Sequence, residues 1–301
     1  MITPSNLTKG DLIGLVSPAS AIEAPVLNNA AALIKRMGYR VITGKHVLDK
    51  YHQFAGTDEN RAADFQQMLD QTEVRMILCT RGGYGTMRII DKLDFTRFME
   101  HPKWIVGFSD ITAIQNHLYT VHGVESIHGI MPLNYPECGN ICTAIDKLFQ
   151  VVSGKNPNYA VPAHPLNRPG KSQGVLVGGN LAIITSQIGS VSEIDTDGRI
   201  LFLEEVDEKL YRFDRMMLTL KRAGKLSNLA GLVVGGLTEM TDSAKGYGNN
   251  AEEIVADAVK EFDFPVCFAF PAGHIKENYP LIIGREVALD VREQSVRLDF
   301  K

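Results

Sequence analysis

The amino-acid sequence predicts an α/β fold in two domains. Residues 1–155 form a mainly parallel sheet with helices on both faces, and residues 173–301 form a smaller mixed α/β domain with antiparallel strands. Three observations carry this. Apolar runs of strand length alternate with helix-patterned segments through the first half. Residues 153–172, "SGKNPNYAVPAHPLNRPGKS", hold four prolines and two glycines with little apolar periodicity, which reads as an interdomain linker over 156–172. The last segment, "EVALDVREQSVRLDF", alternates apolar and polar residues as a hairpin does.

Taken in order, "DLIGLVSP" reads as a strand running into a Ser-Pro turn, and "APVLNNAAALIKRMG" as a helix closed by Gly38. "YRVITG" is the next strand. "TDENRAADFQQMLD" starts at a capping residue and spaces Ala62, Phe65, Met68 and Leu69 along one helical face. "VRMILCT" is a buried strand, and "RGGYGTMRIIDKL" a glycine loop opening a helix. "WIVGF" and "DITAIQNHLYTVHG" repeat the strand–helix unit, and "NICTAIDKLFQVVSG" closes the domain as a helix. Strands joined by helices in this rhythm pair in parallel. In the second half "GVLVGG", "RILFLEE", "LAGLVVGGL" and "PVCFAFP" read as strands, and "NLAIITSQIG" and "YRFDRMMLTLKRAGKL" as helices. The latter puts Phe213, Met216, Met217 and Leu220 on one face and basic residues in its last turn.

Of the 301 residues, 45% are apolar and 22% charged, an ordinary globular balance. The net charge of −4 offers no attraction for a nucleic-acid backbone or an anionic membrane surface, so neither is expected as a partner. No apolar run reaches the roughly 18 residues of a membrane helix, and no basic-then-apolar leader opens the chain. A cytoplasmic protein is expected. Cys79 and Cys267 lie in apolar runs and read as small core residues. Cys138 and Cys142 have C-x3-C spacing but no second Cys/His pair, so neither zinc nor any other metal or cofactor is expected.

Several stretches carry candidate chemistry. "VGFSDITAI" has strand, sharp turn and helix in succession. Ser109 or Asp110 caps the helix, or Ser109 is a nucleophile at the carboxyl end of a parallel strand, where ligands gather. In the second case the N–H groups of the helix start are available to an oxyanion. This stretch alone leaves both open. The literal G-x-S-x-G is "GKSQG", residues 170–174, but a Pro-rich stretch precedes it and a strand follows, so Ser172 reads as solvated linker. "TRGGYGT", residues 80–86, is no phosphate loop, and Arg88 stands where a dinucleotide fingerprint has its third glycine. It offers backbone N–H groups for an oxyanion hole beside Ser109, or a tight turn.

Glu204 and Glu205 end a strand and face opposite ways, so one of them is available to orient a histidine. His274, in "FAFPAGHIKENYPLIIG", lies in a loop past a buried strand, where catalytic groups concentrate. His128 follows a short strand. His46, His52 and His101 sit in polar loops, and His117 and His122 along or after a helix.

Together "LVSPAS", "RGGYGTMRII", "GFSDITAI", "GVLVGGNLAII", "LFLEEVDEKLYRFDRMMLTL" and "FPAGHIKENYPLIIG" resemble the LD-carboxypeptidases, serine peptidases of cytoplasmic murein recycling. The resemblance spans nearly the whole chain and keeps the family's order and approximate spacing. It implies a flavodoxin-like N-terminal domain, a smaller C-terminal domain and a Ser–His–Glu triad. Ser109 matches the serine of "GFSD", Glu204 the first acidic residue after "LFL", and His274 the histidine of "AGH". The family usually has Asp after that glutamate where this chain has Glu205, so which carboxylate faces His274 stays open.

The implied roles follow the triad pattern. His274 takes the Ser109 proton, Glu204 holds the imidazole, and the N–H groups of Asp110 and Gly83 hold the oxyanion. The implied substrate is the murein tetrapeptide, cut between the L-centre of its diamino acid and the terminal D-Ala, with no metal or cofactor. Arg81 and Arg215 are cations of the right type for the free carboxylate, and a homodimer is the family expectation. A related possibility is a microcin C-type peptidase. That activity needs a stacking surface for an adenine ring, and "TEMTDSAKGYGNN", residues 238–250, supplies Tyr247 but no tryptophan. A two-domain small-ligand-binding protein would keep the glycine loop without needing Ser, Glu and His to converge. A nucleotide-dependent oxidoreductase is opposed by the broken glycine fingerprint.

Overall fold

The computed structural model describes residues 1–137 and 139–301; Cys138, one half of the C-x3-C pair, lies outside the described residues. The chain divides into two compact units, Met1–Lys155 with Tyr279–Ile282, and Asn156–Asn278 with Ile283–Lys301.

The first unit carries β1 (Leu12–Val16), β2 (Arg40–Thr43), β3 (Val74–Cys79), β4 (Trp104–Gly107) and β5 (Ser126–His128). Between and after them run α1 (Ala24–Arg36), α2 (Asp58–Asp70), α3 (Thr96–Glu100), α4 (Thr112–His117) and α5 (Thr143–Val152). The strands lie in the order β5-β4-β3-β1-β2, all parallel, and the late strand Leu281–Ile283 extends the sheet beyond β5. This is the flavodoxin-like order, whose ligand crevice opens between β1 and β3 at the carboxyl ends of the strands. Every residue of β1 is buried, as expected of a parallel strand covered on both faces. The helix α2 begins where the Thr57 side chain accepts the Asn60 N–H at 3.3 Å, with Asp58 and Glu59 in its first turn. It lies so close over β1 that a Cβ on Gly14 would stand 2.7 Å from the Met68 sulfur. Phe65, Met68, Ile77, Ile105 and Ile114 belong to the core on this side of the sheet.

One expected helix is replaced. "TMRIIDKL" forms two 3-10 turns, Thr86–Arg88 and Ile90–Lys92. Gly85 supplies no side-chain cap, and the β-branched Thr86, Ile89 and Ile90 lose rotamer freedom in an α-helix. So short an uncapped segment lacks the cooperativity to hold α-helical geometry.

The second unit carries β6 (Asn158–Pro162), β7 (Gly170–Asn180), β8 (Ile200–Val206), β9 (Gly231–Thr238) and β10 (Val266–Cys267). After β11, the late strand of the first sheet, come β12 (Glu286–Val291) and β13 (Ser295–Phe300). The helices are α6 (Leu181–Ser186), α7 (Leu210–Arg222) and α8 (Ala251–Ala258). The sheet order is β10-β9-β8-β7-β12-β13-β6. Pairing is parallel from β10 to β7 and antiparallel from β7 to β6, and β12–β13 is the terminal hairpin. The fold class is therefore mixed α/β in both units, mainly parallel in the first and antiparallel at the end of the second.

Residues 156–172 are not a structureless connection. β6 alternates exposed and buried residues, with Tyr159 and Val161 inward, and pairs with β13 at the sheet edge. An edge position tolerates Pro162 because one side of the strand needs no ladder bond. Ser172, expected as solvated linker, sits inside β7 opposite Leu289. "PVCFAFP" yields a strand only at Val266–Cys267, because Ala269 adopts a left-handed φ of 55° and turns the chain away.

Candidate active site

In the first unit the buried strand β4 ends at Gly107, where a Cβ would lie 2.8 Å from the Ile111 side chain. Only glycine lets the following turn fold back this closely. Phe108 is extended, and Ser109 then takes a left-handed φ of 64°, opening a 3-10 turn, Ser109–Ile111, that feeds α4. The segment runs on through a π-turn, Leu118–His122, to Gly123, the expected stop. A non-glycine residue held left-handed at a strand-to-helix turn stores backbone strain, and such strain clusters at functional sites. It is the geometry of a nucleophile elbow.

The glycine loop lies directly against this turn. A Cβ on Gly82 would stand 2.9 Å from Ser109 Cβ, 3.1 Å from Ser109 Oγ and 3.4 Å from the Asp110 nitrogen. Gly83, at a φ of +102°, is packed on Ser20, whose Oγ would meet an added Cβ at 2.2 Å. The Thr86 N–H donates to Asp110 Oδ2 at 2.8 Å and ties the loop to the elbow. Burial pushes the Asp110 carboxyl above its ordinary pKa, and Thr86 and Arg61 pull it partly back.

Arg61 of α2 holds the far side of the loop. Its fully buried guanidinium donates to Pro18 O at 2.5 Å and Gly85 O at 2.9 Å and pairs with Asp58. Sequence reading missed Arg61. Its signal was a charge on the apolar stripe of α2, one turn before Phe65.

Arg81 donates to Ala21 O at 2.9 Å and lines a cleft of about 590 Å³ with Ser20, Glu23, Lys50, Gly83 and Tyr84. Arg215 is exposed on α7, its guanidinium 5.5 Å from the centre of the Tyr211 ring.

In the second unit Glu204 and Glu205 lie near the end of β8 and take different partners. Glu204 is fully buried, and its Oε2 lies 2.6 Å from His274 Nδ1 and accepts the His274 N–H at 3.1 Å. Glu205 accepts from Asn180 Nδ2, the Ala182 N–H and the Val206 N–H at 2.8–2.9 Å, which braces the start of α6. The choice left open by sequence is resolved at the level of contact: Glu204 is the partner of His274. Gly273 makes the contact possible, since at a φ of +106° its absent Cβ would meet Glu204 Cβ and Oε2 at 2.7 Å. Asn278 Oδ1 accepts the Gly273 N–H at 2.8 Å, and Thr238 Oγ1 donates to His274 O at 3.1 Å.

Burial pulls the His274 imidazole down. The hydrogen bond and charge of Glu204, with Glu205 and Glu239 adding, outweigh it, and its pKa stands above the ordinary value. Burial pushes Glu205 up, against the Val206 N–H and Asn180. No group of three or more metal-ligating side chains occurs among the described residues. No helix among them is long and apolar enough to cross a membrane.

A strained serine after a parallel strand and a histidine braced by a buried carboxylate are the equipment of serine-type hydrolases. Family models agree on the class. The LD-carboxypeptidase N-terminal domain matches residues 13–129 and the LD-carboxypeptidase C-terminal domain residues 173–289. A probable murein peptide carboxypeptidase of Bacillus subtilis is 33% identical, covering 98% of this chain and 94% of its own. The crystal structure of muramoyltetrapeptide carboxypeptidase from Oxalobacter formigenes superposes with a TM-score of 0.88 at 26% identity, over 96% of this chain and 98% of that one. The microcin C7 self-immunity protein of Escherichia coli is 23% identical over 97% of this chain and 94% of its own. The chain belongs to the LD-carboxypeptidase family, and with it to the serine-type carboxypeptidases.

Proposed function

We propose that this protein hydrolyses the L,D-peptide bond that releases terminal D-Ala from murein tetrapeptides in the cytoplasm, using Ser109, His274 and Glu204 as a triad. The single observation behind this is the left-handed Ser109 at the end of β4, a strained conformation that a helix cap does not require. The paired His274 and Glu204, and the names carried by the relatives, support it further.

In this reading Ser109 Oγ attacks the carbonyl of the diamino acid while His274 Nε2 takes its proton. Glu204 keeps Nδ1 protonated and stabilises the imidazolium. The N–H groups of Asp110 and Gly83 receive the oxyanion, and the intimate contact of Gly82 with Ser109 is what brings that loop within range. His274 returns the proton to the departing amine of D-Ala, and water then hydrolyses the acyl-enzyme. Arg81 is the better placed of the two candidate cations, since it shares a cleft with Gly83.

The competing activity, cleavage of an aminoacyl-nucleotide, calls for an exposed aromatic platform. The single tryptophan, Trp104, is buried within β4, and Tyr247 alone serves in the 238–250 loop. The test incubates the purified protein with a murein tetrapeptide, its all-L analogue and an aminoacyl-sulfamoyl nucleoside, with products followed by mass spectrometry. The expected result is D-Ala release from the first only, unaffected by chelator and abolished in Ser109→Ala. Cleavage of the nucleoside conjugate instead selects the microcin-type activity, and full activity of Ser109→Ala removes the nucleophile assignment.

A further inference from the structure

We propose that Arg61 and the carboxyl group of Asp110 are positioning residues for the oxyanion hole, acting together through the one peptide unit that joins Gly85 to Thr86. This rests on the serine-triad reading above, but not on which acyl group the enzyme accepts.

The two ends of that peptide unit are held by different buried side chains. Its oxygen, Gly85 O, accepts from the Arg61 guanidinium at 2.9 Å, and its N–H, on Thr86, donates to Asp110 Oδ2 at 2.8 Å. A cation faces the negative end of the peptide dipole and a carboxyl oxygen the positive end, so the plane is fixed in both tilt and rotation. Gly85 stands at a φ of +142°, and an added Cβ would lie 2.6 Å from Arg61 Nη1, so the bare backbone is what admits the guanidinium this closely.

The grip connects the two oxyanion donors assigned above. Asp110 follows Ser109 and carries one of them, and Gly83, the other, lies two residues before Gly85. Holding Gly85–Thr86 against Asp110 therefore sets the separation of the two N–H groups. Arg61 also donates to Pro18 O at 2.5 Å, in the turn after β1, and in that turn the Ser20 N–H donates to Gly82 O at 3.2 Å. One guanidinium thus spans both turns behind the glycine loop.

Arg61 is only 1% exposed. An apolar side chain of similar volume would fill this space without the desolvation cost of a cation. What the guanidinium adds is a rigid planar fork that serves two carbonyls at a fixed angle. Asp58, from the first turn of α2, pairs with Arg61 and also with Arg88 Nη2 at 2.8 Å, and so orients the fork from outside.

The test measures kcat, KM and the inhibition constant of a peptide aldehyde matching the acyl half of the substrate. It uses the full-length wild type, Arg61→Met, Asp110→Ala, the double variant and Asp110→Asn. Ser109 Oγ adds to the aldehyde carbon, its proton passes to the general base, and the carbonyl oxygen becomes the hemiacetal oxygen in the hole. The inhibition constant therefore reads the hole and is independent of how much of the enzyme is folded. Arg61→Met and Asp110→Ala are each expected to lower kcat and weaken the aldehyde on the order of 10²-fold with KM nearly unchanged, as a small misplacement of catalytic groups does. The double variant is expected to lose little beyond either single, because both act on one peptide unit. Asp110→Asn, whose amide oxygen still accepts the Thr86 N–H, is expected to recover most of the loss. Asp58→Asn, at a partly exposed position, is expected to shift the aldehyde constant in the same direction by less, and decides the matter if Arg61→Met does not fold. An aldehyde constant that keeps its wild-type value or moves only in step with KM, or losses that add in the double variant, overturns the proposal and leaves Arg61 a support of the fold alone. A wild type that cuts the aminoacyl-nucleotide and not the tetrapeptide defeats the murein reading alone, and the same comparison then runs on that conjugate. A wild type that cuts neither overturns both.

Discussion

His274 Nδ1 lies 2.6 Å from Glu204 Oε2, and the same oxygen accepts the His274 backbone N–H at 3.1 Å. One carboxylate oxygen thus fixes both the ring and the main chain of the histidine. The ring nitrogen facing Glu204 is the one that carries a proton in neutral imidazole, which places the basic lone pair on Nε2. Glu205, its neighbour, spends its oxygens on Asn180, Ala182 and Val206 instead.

The two glutamates are therefore expected to fail differently. Glu204→Gln should lower kcat by on the order of 10³–10⁴, because the amide no longer holds the protonated form of the ring. Glu205→Gln should keep turnover within a few-fold but lose about 1–2 kcal/mol of stability in urea denaturation, since it braces backbone N–H groups at a helix start. The opposite ranking would hand the orienting role to Glu205.

The pH profile follows from His274. Its folded pKa is raised above the ordinary value of 6.5, so the imidazole stays protonated past that pH. The acid limb of kcat/KM, which tracks loss of the free base, should fall above 6.5 and move down in Glu204→Gln. The sign for stability is opposite to that for activity. The contribution of this group is fully present below pH 6.5 and is lost as pH rises through the folded pKa. Paired activity and urea titrations read both, and a limb at or below the ordinary histidine value contradicts the geometry.

Gly273→Ala tests how closely the histidine loop approaches Glu204. The added Cβ meets Glu204 at 2.7 Å, at a φ of +106°. The backbone alone should lose about 1–3 kcal/mol, and the displaced carboxylate should lower kcat as well. A variant melting and turning over like the parent would show that the loop approaches less closely than described.

Ser109 offers a comparison with an inverted expectation. At a φ of 64°, Ser109→Gly should be more stable than Ser109→Ala by about 1 kcal/mol, because a Cβ in the left-handed region clashes with the following carbonyl. In ordinary backbone alanine is the more stable of the two. Both variants should be inactive, so differential scanning calorimetry reads the strain with no interference from turnover.

Much of the first unit was legible in the sequence. The apolar runs of β1, β3 and β4 announce strands buried on both faces, and Thr57 and Gly38 mark helix ends by local chemistry. The setting of Ser109 was legible for the same reason, since strand, turn and helix are all short-range. The region around Ser172 was not. Its prolines suggested a linker, yet β6 and β7 find partners in β13 and β12, more than a hundred residues on. Strand pairing across that distance leaves no trace in local composition. Arg61 was likewise hidden, because its carbonyl acceptors at Pro18 and Gly85 belong to loops that only the folded sheet brings beside α2.

By itself, then, the sequence determined the fold class, the elbow context of Ser109 and the two-residue ambiguity at Glu204 and Glu205. Periodicity and turn chemistry act over a few residues and are readable in one dimension. The tertiary structure decided that Glu204, not Glu205, holds His274, a residue 70 positions away, and that Gly82 is the member of its loop pressed against Ser109. Alternation in a regular strand sets neighbouring glutamates apart, but the pairing of β8 with β9 shifts register between Leu203 and Glu205, so which carboxylate meets the histidine loop depends on that register and on a glycine at 273 with no side chain in the way.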